Sequence, residues 1–228
     1  DEEEAYRVNV FDWRAAFPAV FAAGGFDGIV GNPPYVRMET FKSLKTYLKA
    51  NYACHDERSD LYAYFIEKAH KLLREGGLFG MIVSNKFLRA NYGASLRSFL
   101  SQNAILEQIV DLAGLPVFVG ATVRTIILIS RRGSDPSHRF RYAPPLSVER
   151  FNSVASGALV LDEAIADNTF EISSDALNSS GWSFQQSEHD DLITRLQARS
   201  LPLARYGDGL ICMGVKSGLT EAFVIDAA

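Results

Sequence analysis

The sequence predicts an α/β fold, a sheet with helices on its faces, from three observations. Short apolar runs at 26–30, 78–83, 105–112 and 123–130 have the length and composition of buried strands. Segments 61–74 and 89–103, lying between them, carry apolar residues at helical spacing. Strands alternating with helices of this kind pack as a sheet covered by helices. The third observation is a short connection. Only about ten residues, with Gly114, Pro116 and Gly120 among them, separate 105–112 from 123–130. That is too short for a helical crossover, so these two strands are expected to pair antiparallel.

The remaining elements follow in order. Residues 8–13 read as a short strand or its end, and 13–23 as a short helix despite Pro18. Over 38–58, Met38, Phe41, Leu44, Tyr47, Leu48 and Tyr52 recur at helical spacing with lysines between them. Asp60 is placed to cap the helix over 61–74, whose stripe is Leu61, Phe65, Ala69, Leu72 and Leu73 and which Glu75-Gly76-Gly77 should end. Beyond Arg132 the texture changes. Residues 133–137 read as a linker, 140–142 and 146–151 as short strands, and 152–181, rich in Ser, Asn, Asp and Gly, as loops. Trp182 is expected to begin a new unit with a helix at about 187–199. The expected division is therefore 1–132, an irregular linker over 133–181, and a smaller unit over 182–228.

The stretch with the most chemical content is Phe26-Asp27-Gly28-Ile29-Val30-Gly31-Asn32-Pro33-Pro34-Tyr35. Two prolines stop the strand, since each fixes its own φ and lacks an N–H. Each also holds the residue before it extended. The product is a stiff loop at the carboxyl end of a strand, where open α/β sheets bind ligands. It presents an amide, bare carbonyls and an aromatic ring. These groups suit an exocyclic amine such as that of adenine, whose lone pair is delocalised into the ring. The Asn32 side-chain oxygen and the Pro33 carbonyl can accept from both amine N–H bonds, so that the nitrogen pyramidalises as it attacks. Tyr35 can stack on a base drawn out of a duplex, a contact worth about 1–3 kcal/mol.

Residues 31–35 resemble the catalytic loop of S-adenosylmethionine-dependent amino-methyltransferases, and 26–37 is similar to the adenine-N6 DNA methyltransferases. The longer stretch FDWRAAFPAVFAAGGFDGIVGNPPYVR resembles the large restriction–modification type, in which methyltransferase and target-recognition regions share one polypeptide. The resemblance extends with gaps from about 12 to 226. It implies a Rossmann-like, seven-stranded methyltransferase sheet with a closing antiparallel pair. Only the C-terminal, catalytic half of that sheet is expected over 1–132, because no glycine-rich cofactor turn precedes the loop. The start of a target-recognition domain is expected over 182–228. The resemblance further implies S-adenosyl-L-methionine as cofactor, with Asn32 and Pro34 beside it, and double-stranded DNA as partner. Asn32, Pro33, Pro34 and Tyr35 are the implied catalytic residues. VFVGATVRTIILI resembles the later motif whose aromatic residue supports the flipped base, which makes Phe118 the partner of Tyr35 in stacking. GGLFGMIVSNKFL is similar to the next strand and its loop, with Asn85 and Phe87 at the strand end. Ser59-Asp60-Leu61-Tyr62 matches a turn near the cofactor. Around Gly214, Lys216 and Gly218 a turn is similar to the entry of the recognition domain.

Charge distribution fits a nucleic-acid partner better than the net charge of −4 does. Residues 37–100 hold eleven basic and six acidic residues, just after the catalytic loop, whereas 151–228 hold four and eleven. The four histidines are scattered without metal-ligand spacing. Two distant cysteines, an acidic start and the absence of an apolar run of membrane-spanning length point to a cytoplasmic protein with no membrane partner. A restriction nuclease is expected to be fused to, or associated with, the polypeptide outside this chain. Two other readings stay open. One is methylation of RNA amines or protein glutamine, which uses the same loop. The other is a non-catalytic DNA-binding or assembly role.

Overall fold

The computed structural model describes residues 11–118, 123–177 and 181–184, with 195, 196, 198–201 and 205. The chain divides into two compact units, Asp1–Phe184 and Gln185–Ala228. Among the described residues the first unit carries a six-stranded mixed sheet. Its elements are α1 (Trp13–Ala16), α2 (Pro18–Ala22), β1 (Phe26–Gly31), α3 (Lys45–Asn51), α4 (Tyr62–Leu72), β2 (Leu73–Ser84), α5 (Ala94–Asn103), β3 (Ala104–Asp111), β4 (Thr125–Arg132), β5 (Arg139–Ala143), α6 (Val148–Ala155), α7 (Leu161–Ala166) and β6 (Phe170–Ser173).

The strands lie in the order β1-β2-β4-β3-β5-β6. β1 and β2 are parallel, with α3 and α4 in the connection between them. β4 inserts between β2 and β3 and runs antiparallel to both. The antiparallel β3–β4 pair expected from the short connection is therefore present. β5 then adds parallel to β3, and β6 antiparallel to β5. Every second residue of β2 (Phe79, Met81, Val83) is buried, as are Ile126 and Leu128 of β4. They pack with Tyr62, Ile66 and Ala69 of α4 and Leu96, Phe99 and Leu100 of α5 in one core. A smaller cluster of Val110, Leu112, Ala143, Leu146, Ala164 and Ile165 forms with α6 and α7.

Several boundaries differ from the sequence expectation, each for a local reason. The helix expected over 13–23 is two helices, with Pro18 at the first position of the second, where its missing N–H breaks no bond. The segment 38–58 contains two single 3₁₀ turns and then α3, rather than one helix. α4 stops at Leu72 because Leu73, fully buried, pairs with Phe26 in the sheet. Asp60 does not cap α4 with its side chain. The helix expected from 89 begins at Ala94 after a turn in which Gly93 passes against Phe87. A Cβ there would lie 2.2 Å from the Phe87 carbonyl oxygen.

The strand expected over 140–142 is β5. The largest correction concerns 152–181, which supplies the end of α6, α7 and β6, the last a strand of the same sheet, instead of loops. The strand expected over 146–151 is the start of α6, which Ser147 caps by accepting from the Arg150 N–H. Trp182 does not begin a new unit. It is 1% exposed, and its backbone N–H donates to the Leu88 carbonyl at 2.6 Å. Phe184 packs on Phe140 and Tyr142. The helix expected at about 187–199 is helical at 195, 196, 198 and 199, and the turn at Gly214, Lys216 and Gly218 lies outside the described residues. Among the described residues no helix is long and apolar enough to cross a membrane.

Candidate active site at the end of the first strand

Gly31 ends β1 in register with Met81 of β2. The chain then runs extended through Asn32, Pro33, Pro34 and Tyr35 without joining a ladder, as two successive prolines dictate. Asn32 and Pro34 are exposed, Pro33 is buried and Tyr35 is half-buried. Pro33 thus anchors the loop while the amide of Asn32 faces outward. Among the described residues the exposed Asn32 makes no side-chain hydrogen bond.

Tyr35 is fixed at two points. Its hydroxyl donates to the Ile82 carbonyl of β2 at 3.0 Å. Partial burial raises its pKa above that of a free phenol, so the group stays a donor at neutral pH. Its ring meets Phe118 edge-on, with centroids 5.6 Å apart and planes at 62°. The structure therefore brings Tyr35 and Phe118 together, although 83 positions separate them in the chain. A base inserted between two parallel rings needs about 7 Å, two van der Waals spacings of about 3.5 Å. The edge contact is narrower than that, and one ring must turn aside to admit a base.

The loop beyond Tyr35 is held from the far side. The Leu61 N–H donates to the Val36 carbonyl at 2.8 Å, and Arg37 bridges Asp60 antiparallel. This places Ser59-Asp60-Leu61-Tyr62 against the loop that leaves β1. Burial raises the Asp60 pKa, and the charges of Lys86 and Arg37 oppose the rise. Glu67 of α4, fully buried, steadies the approach to this turn. It accepts from the N–H groups of Ala53 at 3.0 Å and Cys54 at 2.7 Å and pairs with Lys71 at 2.6 Å.

Phe87, a candidate for the pocket, is 1% exposed and packs in the core near Tyr62 and Trp182. Asn85 stands half-buried at the rim, its N–H bonded to the Arg124 carbonyl at 2.9 Å. Sequence reasoning missed Arg97, whose buried guanidinium donates to the carbonyls of Phe87 at 2.6 Å and Ala90 at 2.9 Å and so holds the turn after β2. An arginine on an amphipathic helix gives no sign in sequence that it will point inward.

The model for the Eco57I restriction-modification methylase matches residues 1–118, more than half of the chain and the whole of the Asn32–Tyr35 loop. The chain belongs to the Eco57I restriction-modification methylase family. The chain is 29% identical over 209 residues to the type II methyltransferase M.PaeR7I of Pseudomonas aeruginosa, covering 89% of this chain and 36% of the relative. It is 29% identical over 229 residues to the type II restriction enzyme and methyltransferase RM.Eco57I of Escherichia coli, covering 98% of this chain and 21% of that protein. This member of the family thus spans well under half the length of these relatives. Among solved structures, the type IIG restriction endonuclease BpuSI superposes with a TM-score of 0.50 at 18% identity, over 75% of this chain and 22% of that one. That likeness is one of fold, a mixed α/β sheet.

At the end of β1, Pro34 offers an apolar surface and Asn32 an amide, both exposed. Among the described residues no glycine-rich turn follows a strand to cradle the nucleoside. Among the same residues no cluster of His, Cys, Asp or Glu could hold a metal ion.

Proposed function

We propose that the full-length protein is a site-specific DNA adenine-N6 methyltransferase of a restriction–modification system, with S-adenosyl-L-methionine as methyl donor and double-stranded DNA as substrate. The cofactor supplies an electrophilic methyl group on a sulfonium. Everything else in the reading concerns this chain's residues. The target adenine leaves the duplex, at an unstacking cost of a few kcal/mol, and stacks on Tyr35. Phe118 turns from its edge contact to close the second face. The Asn32 side-chain oxygen and the Pro33 carbonyl accept from the exocyclic amine. Held this way, the nitrogen would be presented to the methyl group that the cofactor would supply, and one amine proton would pass to solvent. Positioning of this kind supplies several kcal/mol of a barrier, and no covalent enzyme intermediate is needed. A nuclease, fused or associated, completes the system, as the name of the Escherichia coli relative suggests.

The observation that carries the reading is the exposed Asn32 amide at the carboxyl end of β1, beside a tyrosine whose ring is held by Ile82 and faced by Phe118. Substrate competition tests it. With a radiolabelled methyl donor, label is expected in duplex DNA and is expected to be chased by unlabelled duplex. Transfer to RNA or to a glutamine peptide, undiminished by DNA, would overturn the reading.

A further inference from the structure

A cavity lies along the same rim of the sheet. It measures about 230 Å³ and is bounded by Lys86, Arg89, Asp111, Arg124, Trp182 and neighbouring residues. Its position follows from topology. The carboxyl ends of β1, β2 and β3 and the start of antiparallel β4 share one edge of the sheet. Successive strands are about 5 Å apart, so the cavity begins one strand away from the catalytic loop.

Three cations converge there from two loops. Lys86 and Arg89 stand on the turn after β2, and Arg124 on the approach to β4. The loops are joined by the Asn85 N–H bond to the Arg124 carbonyl. From behind, the turn is stiffened by Arg97 and closed by the Trp182 N–H bond to Leu88. All three cationic side chains are exposed, and among the described residues none makes an ion pair within 4 Å. Elsewhere in the sheet the arginines are engaged: Arg74 with Asp27, Arg131 with Glu107, Arg139 with Glu171. The one carboxylate in the wall, Asp111, already accepts from the Tyr142 hydroxyl at 3.0 Å and the Ala113 N–H at 2.8 Å. The indole N–H of Trp182 is buried without a partner. Excess positive charge on a preformed concave wall, next to an engaged carboxylate, fits a dianion or a phosphodiester better than a neutral ligand.

We propose that this cavity seats a backbone phosphate of the DNA strand that carries the target base, with Lys86, Arg89 and Arg124 as its ligands. The inference rests on the DNA reading above. The phosphate would hold the strand in register while the base is out of the stack, a positioning task that carries no sequence information.

The test uses the full-length enzyme and duplex DNA over a range of KCl. Lys86→Gln and Arg124→Gln are each expected to weaken binding on all sequences and to lower the slope of log K against log salt by about 0.9. Arg124→Lys, which keeps the charge, should retain most of the slope. Arg139→Gln, at a paired arginine on β5, should leave it unchanged. A methylphosphonate scan then locates the site. Wild type should lose affinity at one or two neutral linkages beside the target base, and Arg124→Gln should lose nothing further there. If wild type methylates DNA but the Lys86 and Arg124 variants keep the full slope and the full methylphosphonate penalty, the cavity is not a phosphate site. If wild type neither binds nor methylates DNA, the function reading itself fails and this inference falls with it.

Discussion

The hydroxyl of Tyr35 donates to the backbone carbonyl of Ile82 at 3.0 Å, which ties the loop leaving β1 to the strand beside it. The bond fixes the direction of the ring that is proposed to carry the target base. Separating the hydrogen bond from the ring gives the first prediction. Tyr35→Phe keeps the stacking surface and loses one neutral hydrogen bond, worth about 1 kcal/mol, so kcat/KM should fall about fivefold. Tyr35→Ala removes the stacking surface as well, worth about 1–3 kcal/mol more, and should cost a further factor of roughly 5 to 150. Steady-state kinetics on duplex DNA reads both. Equal effects from the two variants would mean that the ring does not hold the base.

Phe118 meets Tyr35 edge-on, and in the proposed mechanism it turns aside to admit the base. Phe118→Ala should therefore weaken binding of the flipped state more than it destabilises the protein. A fluorescent base analogue at the target position should show less unstacked signal in this variant than in wild type, with an unfolding midpoint within a few degrees of wild type.

Glu67 is a fully buried carboxylate that holds the Ala53–Cys54 backbone and Lys71. Burial alone would raise its pKa, but the Lys71 ammonium and the two backbone N–H groups outweigh that and lower it. Glu67→Gln leaves buried N–H groups short of acceptors, which should destabilise the protein by about 1–3 kcal/mol. Because the folded pKa lies below the unfolded value, the carboxylate's contribution is present above the unfolded pKa of about 4.3 and is lost as pH falls through the folded value. Denaturant titrations of wild type and variant should differ most at neutral pH and converge in acid.

His70 is buried between α4 and β4. Its Nδ1 donates to the Ile66 carbonyl at 2.9 Å, and its Nε2 accepts from the Ser130 hydroxyl at 3.0 Å. Burial lowers its pKa, opposed by the Ile66 bond and reinforced by Arg132. The folded state thus binds a proton less readily than the unfolded chain. Stability is fully present above the unfolded pKa of about 6.5 and is lost as pH falls below it. Urea midpoints measured between pH 7.5 and 5.5 should drop in wild type, and the drop should shrink in His70→Gln. An identical pH slope in both would assign the acid sensitivity to other groups.

The sequence made the end of β1 legible because prolines act locally. Pro33 and Pro34 stop a strand wherever they stand, so the break after Gly31 could be placed without tertiary knowledge. The antiparallel β3–β4 pair was legible for a similar reason, a connection too short for a helix. What was not legible depends on distant packing. Residues 170–173 are short, and only their pairing with β5 makes them a strand. Trp182 looked like the start of a unit because polar residues precede it, yet its place is decided by the Leu88 carbonyl and the Phe87 ring, nearly a hundred positions earlier. Helix α6 was mistaken for a strand although Ser147 stands at its cap, because Leu146, Val148 and Phe151 suit either period over so short a run.

The most direct test of the central claim reads the product in DNA. The full-length gene is expressed in a methylation-deficient host, and its DNA is digested to nucleosides and analysed by mass spectrometry. N6-methyladenine should appear with the wild-type gene and vanish with Asn32→Ala, whose exposed position leaves the fold intact. A soluble wild-type protein that binds S-adenosylmethionine but leaves no N6-methyladenine, or an Asn32→Ala variant that marks DNA as wild type does, would contradict the account.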